Sequence, residues 1–217
     1  MKPTLRYLLV AAIALPVGFF SMQWLTKPAP TPSPTTLSTT TLSSSSSSSL
    51  KGPVLTLPEF SLKDRDGKMT SIHSWPGKSL IVNFWATWCE PCRREIPLLL
   101  KLQQEHAKDG FQVVGIAIDF RDQVVSYMDQ MHLSYPVLMG EQDGMDAADA
   151  FGVSASGLPF TVFTDGQGNI ITTHLGELHP EQAALILKTI QSVNKGLMPV
   201  EAGRTHINIT LNSPNSR

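Results

Sequence analysis

Cys89 and Cys92 are the only cysteines in the 217 residues, three positions apart in "ATWCEPCRRE". Sulfur at that spacing can hold a metal, staple a fold, or cycle between dithiol and disulfide. In an α-helix, residues three apart share a face, with Cβ atoms roughly 5–6 Å apart. A disulfide needs Cα atoms about 4.4–6.8 Å apart, so a C-x-x-C on a first helical turn can open and close with little backbone movement. A staple is disfavoured, because stabilisation grows with the length of loop closed and this loop is among the shortest possible. A zinc site needs four ligands. No second C-x-x-C exists, and the six histidines (His73, His106, His132, His174, His179, His206) are scattered, with no pair at i, i+4. A copper site using both thiolates and one distant histidine stays open beside redox exchange.

The neighbouring pattern places the pair. "SLIVNFW" (Ser79–Trp85) is an apolar, β-branched run that reads as a buried central strand. "CRREIPLLLKLQQEHA" has helical spacing, with Ile96, Leu99, Leu100 and Leu102 toward a core. The cysteines therefore lie at a strand-to-helix junction. There the unpaired N–H groups and the positive end of the dipole stabilise a thiolate, with depressed pKa values of about 3.5–7.5 in such motifs. Cys89, beside Trp88, is expected to be the exposed nucleophile; Cys92, one turn in, is expected to be buried and to resolve the mixed disulfide. Pro91 suits the first turn, where its missing N–H costs nothing. Glu90, between the cysteines, should oppose the dipole and make the couple less oxidising.

Further elements follow from pattern. Alternation on both sides of "DRDG" predicts a hairpin within 54–75. "FQVVGIAI" (Phe111–Ile118) reads as a second buried strand, "DQVVSYMDQMH" as a helix, "YPVLMG" as a short strand and "GMDAADAFG" as a short helix. "FTVFT" and "NIITTHLG" flank "DGQG" as a second hairpin, and "PEQAALILKTIQSVNKG" closes as an amphipathic helix between Pro180 and Gly196. Strands alternating with helices imply parallel pairing, and the late hairpin adds antiparallel strands: an α/β fold with a mixed sheet.

Outside residues 53–196 the texture changes. Residues 1–27 carry Lys2 and Arg6, then an uncharged stretch to Lys27 whose apolar core, "YLLVAAIALPVGFFSMQWL", is 19 residues long. That is near the roughly 20 needed to span hydrocarbon, and the excess of basic residues before it puts the following chain outside the cytoplasm. A retained anchor is favoured over a cleaved signal, since no clean small-x-small site follows. Residues 28–52 are dominated by Pro, Ser and Thr and read as a disordered tether. Residues 197–217 hold an "NIT" acceptor pattern at Asn208–Thr210 and no clear element. Lys plus Arg total 17 against 18 Asp plus Glu, a net charge of −1, which argues against nucleic acid as a partner.

"VNFWATWCEPCRREIP" (Val82–Pro97), with "VVGIAID" and "GLPFTVFTDGQGNI", resembles thioredoxin-like proteins. More narrowly, it is similar to the membrane-anchored TlpA/ResA branch of bacterial thiol-disulfide oxidoreductases. The resemblance implies a three-layer thioredoxin-like fold, helices on both faces of the mixed sheet, with an extra N-terminal β-hairpin. It implies Cys89 and Cys92 as the redox-active disulfide, and Pro159 as a cis-proline beside it. Leu158 would offer its backbone to an extended substrate that also meets Trp88 and Pro91. Glu95 matches an acidic residue of this branch that could tune the Cys92 thiol or carry its proton; Pro97 matches a helix-kink proline. Asn83 stands where ordinary thioredoxins have a buried aspartate, so proton transfer would fall to Glu95 or water. No cofactor or metal is implied. The implied partners are protein disulfides, such as those of apocytochrome c or copper-site proteins, a membrane thiol carrier as reductant, and the cytoplasmic membrane. A peroxidase of the related peroxiredoxin group would need a P-x-x-x-T-x-x-C context, which "NFWATWC" lacks.

Overall fold

The computed structural model describes residues 54–213, so the expected anchor (1–27) and tether (28–52) lie outside the described residues. Seven strands form one sheet in the order β2-β1-β5-β4-β3-β6-β7. They are β1 (Ser61–Lys63), β2 (Met69–Ser71), β3 (Ser79–Trp85), β4 (Phe111–Ala117), β5 (Val137–Met139), β6 (Phe160–Thr164) and β7 (Ile170–Leu175). The helices are α1 (Glu90–His106), α2 (Arg121–Met131), α3 (Gln142–Ala150), α4 (Pro180–Asn194) and α5 (Val200–Leu211). As the alternation predicts, β3, β4 and β5 pair in parallel, while β6 and β7 run antiparallel. β1 pairs antiparallel with β2 across the "DRDG" turn, and both strands are short.

β3 is the centre of the molecule, and every residue in it is buried. Its two faces feed two cores. Ile81 and Trp85 pack with α1, α2 and α4 through Ile96, Leu99, Leu102, Val124, Ile186 and Ile190. Leu80, Val82 and Phe84 pack with α3 and the β1–β2 side through Leu62, Ile72, Ala148 and Phe151. On that second face Phe84 stacks on Phe160 with centroids 4.3 Å apart and meets the edge of Phe151 at 5.6 Å. Helices thus cover both faces. Leu100, expected in the core, is only half-buried, because the inward stripe of α1 runs through Cys92, Glu95, Ile96, Leu99 and Leu102.

α3 begins two residues before "GMDAADAFG", and α2 begins one residue before "DQVVSYMDQMH". Sequence patterning is silent on residues 197–217, where the structure has α5. This helix lies against α4 through Gly203 and Ile207; a Cβ at Gly203 would come 2.9 Å from Val193 Cγ2. Arg204 donates from Nε to the Ile170 carbonyl (2.8 Å) and from a terminal nitrogen to the Leu55 carbonyl (3.0 Å), tying α5 to β7 and to the start of the described chain. Asn208–Thr210 lie within α5. Among the described residues no helix is long and apolar enough to cross a membrane.

Candidate active site

The register of β3 decides what meets at the cysteines. Trp85 ends the strand, residues 86–88 turn, and Cys89 is the N-cap of α1 with extended backbone (φ −83°, ψ 105°). Its Sγ accepts the Cys92 N–H at 3.3 Å, an orphan donor of the first turn. Pro91 needs no such acceptor, which is why proline is tolerated there. Cys89 and Cys92 are joined as a disulfide, with Cα atoms 5.3 Å apart. The outer and inner roles are unequal in exposure: Trp88 is 67% exposed, Cys89 6% and Cys92 0%. The expectation of an exposed Cys89 is therefore corrected. In the disulfide its sulfur turns inward onto the Cys92 N–H and the Cys92 sulfur.

Antiparallel pairing of β3 with β6 sets Asn83 opposite Thr161 and Phe84 opposite Phe160. One residue further, the Leu158–Pro159 bond is cis, at the sheet end that carries Cys89. Pro159 is buried and Leu158 half-buried. The Pro159 carbonyl accepts the Gly176 N–H at 2.9 Å, which brings the end of β7 alongside.

Glu95 is the charged member of the buried stripe. One turn after Cys92 on the same face, it is 1% exposed. Asn83 donates from Nδ2 to its Oε1 at 2.7 Å and to Thr161 Oγ1 at 3.0 Å; the Leu178 N–H donates to its Oε2 at 2.8 Å. Burial pushes its pKa up to about 7, against the two hydrogen bonds that lower it and with the nearby Glu177 charge adding to the rise. A carboxyl poised there can hold or release a proton near neutral pH. Asn83, whose amide cannot take a proton, instead orients this carboxyl.

Glu90 does not act alone on Cys89. Arg94 reaches it at 3.0 Å from one nitrogen and holds Glu177 Oε2 at 2.9 and 2.6 Å from two others. The expected opposition of Glu90 to the helix dipole is thereby offset by a neighbouring cation. The same arginine holds the Glu177 carboxyl below the usual range by hydrogen bonding, and ties the β7–α4 connection to α1.

Sequence reasoning missed Asp119. At the carboxyl end of β4 it accepts the Thr87 N–H at 3.0 Å, the Thr87 hydroxyl, and the Phe120 N–H at 2.8 Å. It pins the loop that presents Trp88 and Cys89. The available signal was an acid at the C-terminal end of the strand next to the motif strand, where α/β sheets build their sites. Also missed were exposed Phe120 and Leu175, which join Trp88 as an apolar rim at this end of the sheet. Among the described residues no cluster of three or more His, Cys, Asp or Glu could hold a metal.

The Redoxin family profile matches residues 55–188, most of the described chain. The chain belongs to the Redoxin family. This redoxin is 36% identical over 125 residues to the thioredoxin-like protein YneN of Bacillus subtilis (strain 168), spanning 56% of this chain and 70% of that protein. It is 30% identical over 134 residues to the thiol-disulfide oxidoreductase ResA of Bacillus anthracis, 61% of this chain and 75% of that one. A crystal structure of a thiol:disulfide interchange protein of the thioredoxin family from Chlorobium tepidum TLS is 34% identical, with a TM-score of 0.57, covering 65% of this redoxin and 99% of that chain. This redoxin is a thioredoxin-like thiol-disulfide oxidoreductase of the ResA and TlpA type, an enzyme acting on protein disulfides.

Proposed function

We propose that this redoxin reduces protein disulfides on the outer side of the cytoplasmic membrane, held there by residues 1–27. Cys89 is the nucleophile. Its thiolate attacks one sulfur of a substrate disulfide, forming a mixed disulfide and releasing the other substrate sulfur as a thiolate. Cys92 then loses its proton to Glu95 and attacks Cys89 Sγ, which frees the second substrate thiolate and leaves the Cys89–Cys92 bond. A membrane thiol carrier returns two electrons and two protons. Trp88, Pro91, Leu158 and Pro159 form the substrate contact, extended by Phe120 and Leu175; an apolar rim around the disulfide suits a protein chain better than a small thiol. Haem-binding cysteines of apocytochrome c, or copper-site proteins of respiratory oxidases, are the proposed substrates.

One observation carries the reading: a capping cysteine whose sulfur takes a helix N–H, joined to a wholly buried cysteine with a carboxyl one turn deeper. The reducing direction is supported by the sparse stabilisation of Cys89, whose Sγ has a single backbone donor; a weakly stabilised thiolate makes a less oxidising couple. Two assays test this. The reduced protein should reduce insulin disulfides and equilibrate with glutathione on the reducing side. Cys92→Ala in cells should accumulate mixed disulfides through Cys89, from which the partners are identified. No insulin reduction together with no trapped partner would defeat the proposal.

A further inference from the structure

One peptide group beside the site is bonded at both ends. The Glu177 carbonyl accepts from His174 Nε2 at 3.2 Å, and the N–H of that same amide, belonging to Leu178, donates to Glu95 Oε2 at 2.8 Å. A carbonyl oxygen has no proton to give, so the neutral His174 ring must be the Nε2–H tautomer. The strand registers explain how a histidine comes to be there. Asn83 of β3 stands opposite Thr161 of β6, and Thr161 opposite His174 of β7, so the three side chains share one face of the sheet. Asn83, at one end of this row, holds Glu95 Oε1 directly. His174, at the other end, reaches Oε2 through the peptide. His174 is half-buried, whereas Glu95 is enclosed. The β7–α4 connection is fastened at two further points, the Gly176 N–H on the Pro159 carbonyl at 2.9 Å and Arg94 on the Glu177 carboxylate.

We propose that His174 is a positioning residue for the thiol chemistry: it fixes and polarises the Glu177–Leu178 peptide, and so sets how readily Glu95 gives and takes a proton. An amide whose oxygen accepts a hydrogen bond is a stronger donor at its nitrogen, because each bond in a chain polarises the next. A stronger Leu178 donor favours the charged carboxylate. Burial pushes Glu95 up to about 7, and the peptide pulls the other way. Burial also holds the His174 pKa below its ordinary value, with His179 adding to that and the Glu177 carbonyl opposing it. The neutral ring is therefore the donor near neutral pH. The ionisable groups that face His174 are Glu177 in the connection, with Arg94 of α1 bound to it, and His179 at the start of α4. Those that face Glu95 are Cys92 on its own helix, Glu177, and Tyr135 ahead of β5.

The relay stands on the two hydrogen bonds; its consequence for thiol exchange rests on the role of Glu95 proposed above. The test uses the isotope-labelled, oxidised full chain. Imidazole nitrogen shifts of the unmodified protein should show His174 Nε2 protonated and Nδ1 bare. His174→Phe keeps a ring and removes the donor, so the Glu95 carboxyl midpoint, followed by carbon NMR, should rise by about half a pH unit. His174→Gln places an amide N–H where Nε2 was, and should return the midpoint to the parent value. Loosening of the connection alone would move the midpoint equally in both variants, so a Gln variant that behaves like the Phe variant overturns the proposal. So does a folded Phe variant with an unmoved midpoint, or an Nδ1–H ring in the unmodified protein. The tautomer is read without any substitution, which keeps the proposal refutable if a variant fails to fold. Insulin reduction is measured separately. With Glu95 accepting the Cys92 proton, the acid limb of its pH profile should move upward in His174→Phe by the same half unit. A shifted midpoint with an unshifted profile would keep the relay and refute Glu95 as the proton acceptor.

Discussion

Replacing Glu95 with Gln should change how stability depends on pH, by an amount the structure supplies. The carboxyl titrates near its ordinary 4.5 in the unfolded chain and at about 7 in the fold, because burial penalises its charge more than Asn83 and Leu178 repay. Its folded value is the higher one. Between these limits the native state therefore binds the proton that the unfolded state has released, and stability falls as pH rises. The difference is about 2.5 units, worth about 3 kcal/mol at roughly 1.36 kcal/mol per unit. That stability is fully present below about pH 4.5 and gone above about pH 7. A neutral Gln keeps the Leu178 bond through its oxygen and carries no charge to bury at any pH. Urea unfolding of the oxidised protein across this range, with Glu95→Gln in parallel, isolates the effect as the change in the difference between the two. The variant should gain about 3 kcal/mol relative to the parent from the acid to the alkaline end. A difference that stays constant with pH would refute the placement of Glu95 as a buried, proton-holding group.

Other consequences are as direct. Asp119→Ala should free the Thr87 loop, lower stability by about 1–3 kcal/mol through its lost charge-assisted bonds, and slow insulin reduction; equal rates and equal unfolding midpoints would dismiss it as a positioning residue. Arg94→Gln should raise the pKa of the reduced Cys89 thiol, read from ultraviolet thiolate absorbance, and a second change, Glu90→Gln, should restore it; no rescue by the second change would show that Arg94 does not act by offsetting Glu90. Gly203→Leu should lower the thermal midpoint, because the added side chain meets Val193 at a place already closer than van der Waals contact, and overpacking costs about 1–3 kcal/mol; an unchanged midpoint would mean that α5 is not packed as described.

The order of elements along the chain and the mixed pairing were legible because their causes are local. Uninterrupted apolar runs make β3 and β4 buried strands, helical stripes make α1 and α4, and alternation of the two types forces parallel pairing. The cysteine pair was legible for the same reason, its three-residue spacing being self-contained. What stayed hidden depends on contacts between distant segments. Whether Glu95 is solvated or buried is decided by the rotation of α1 and by Leu178, 83 residues along the chain. Asp119 acts on Thr87 across 32 residues, and its place at the end of β4 marks it as a site acid without saying which loop it holds. Asn83 could be recognised as an unusual polar residue in an apolar strand, but its partners come from β6 and α1. Helix α5 packs through Val200, Gly203, Ile207 and Leu211, a stripe at helical spacing, but one of its members is a glycine and its flanks are polar, so it did not stand out.

The central claim is that the two sulfurs have different jobs, the outer one ionised and reactive, the inner one enclosed. Alkylation of the reduced protein as a function of pH, with the modified cysteine identified by mass mapping, tests it most directly. Cys89 should be modified first, with a midpoint below the roughly 8.5 of an ordinary thiol, while Cys92 stays unmodified until the fold is opened. Labelling of Cys92 at a comparable rate, or a Cys89 midpoint at or above the ordinary value, would contradict the account.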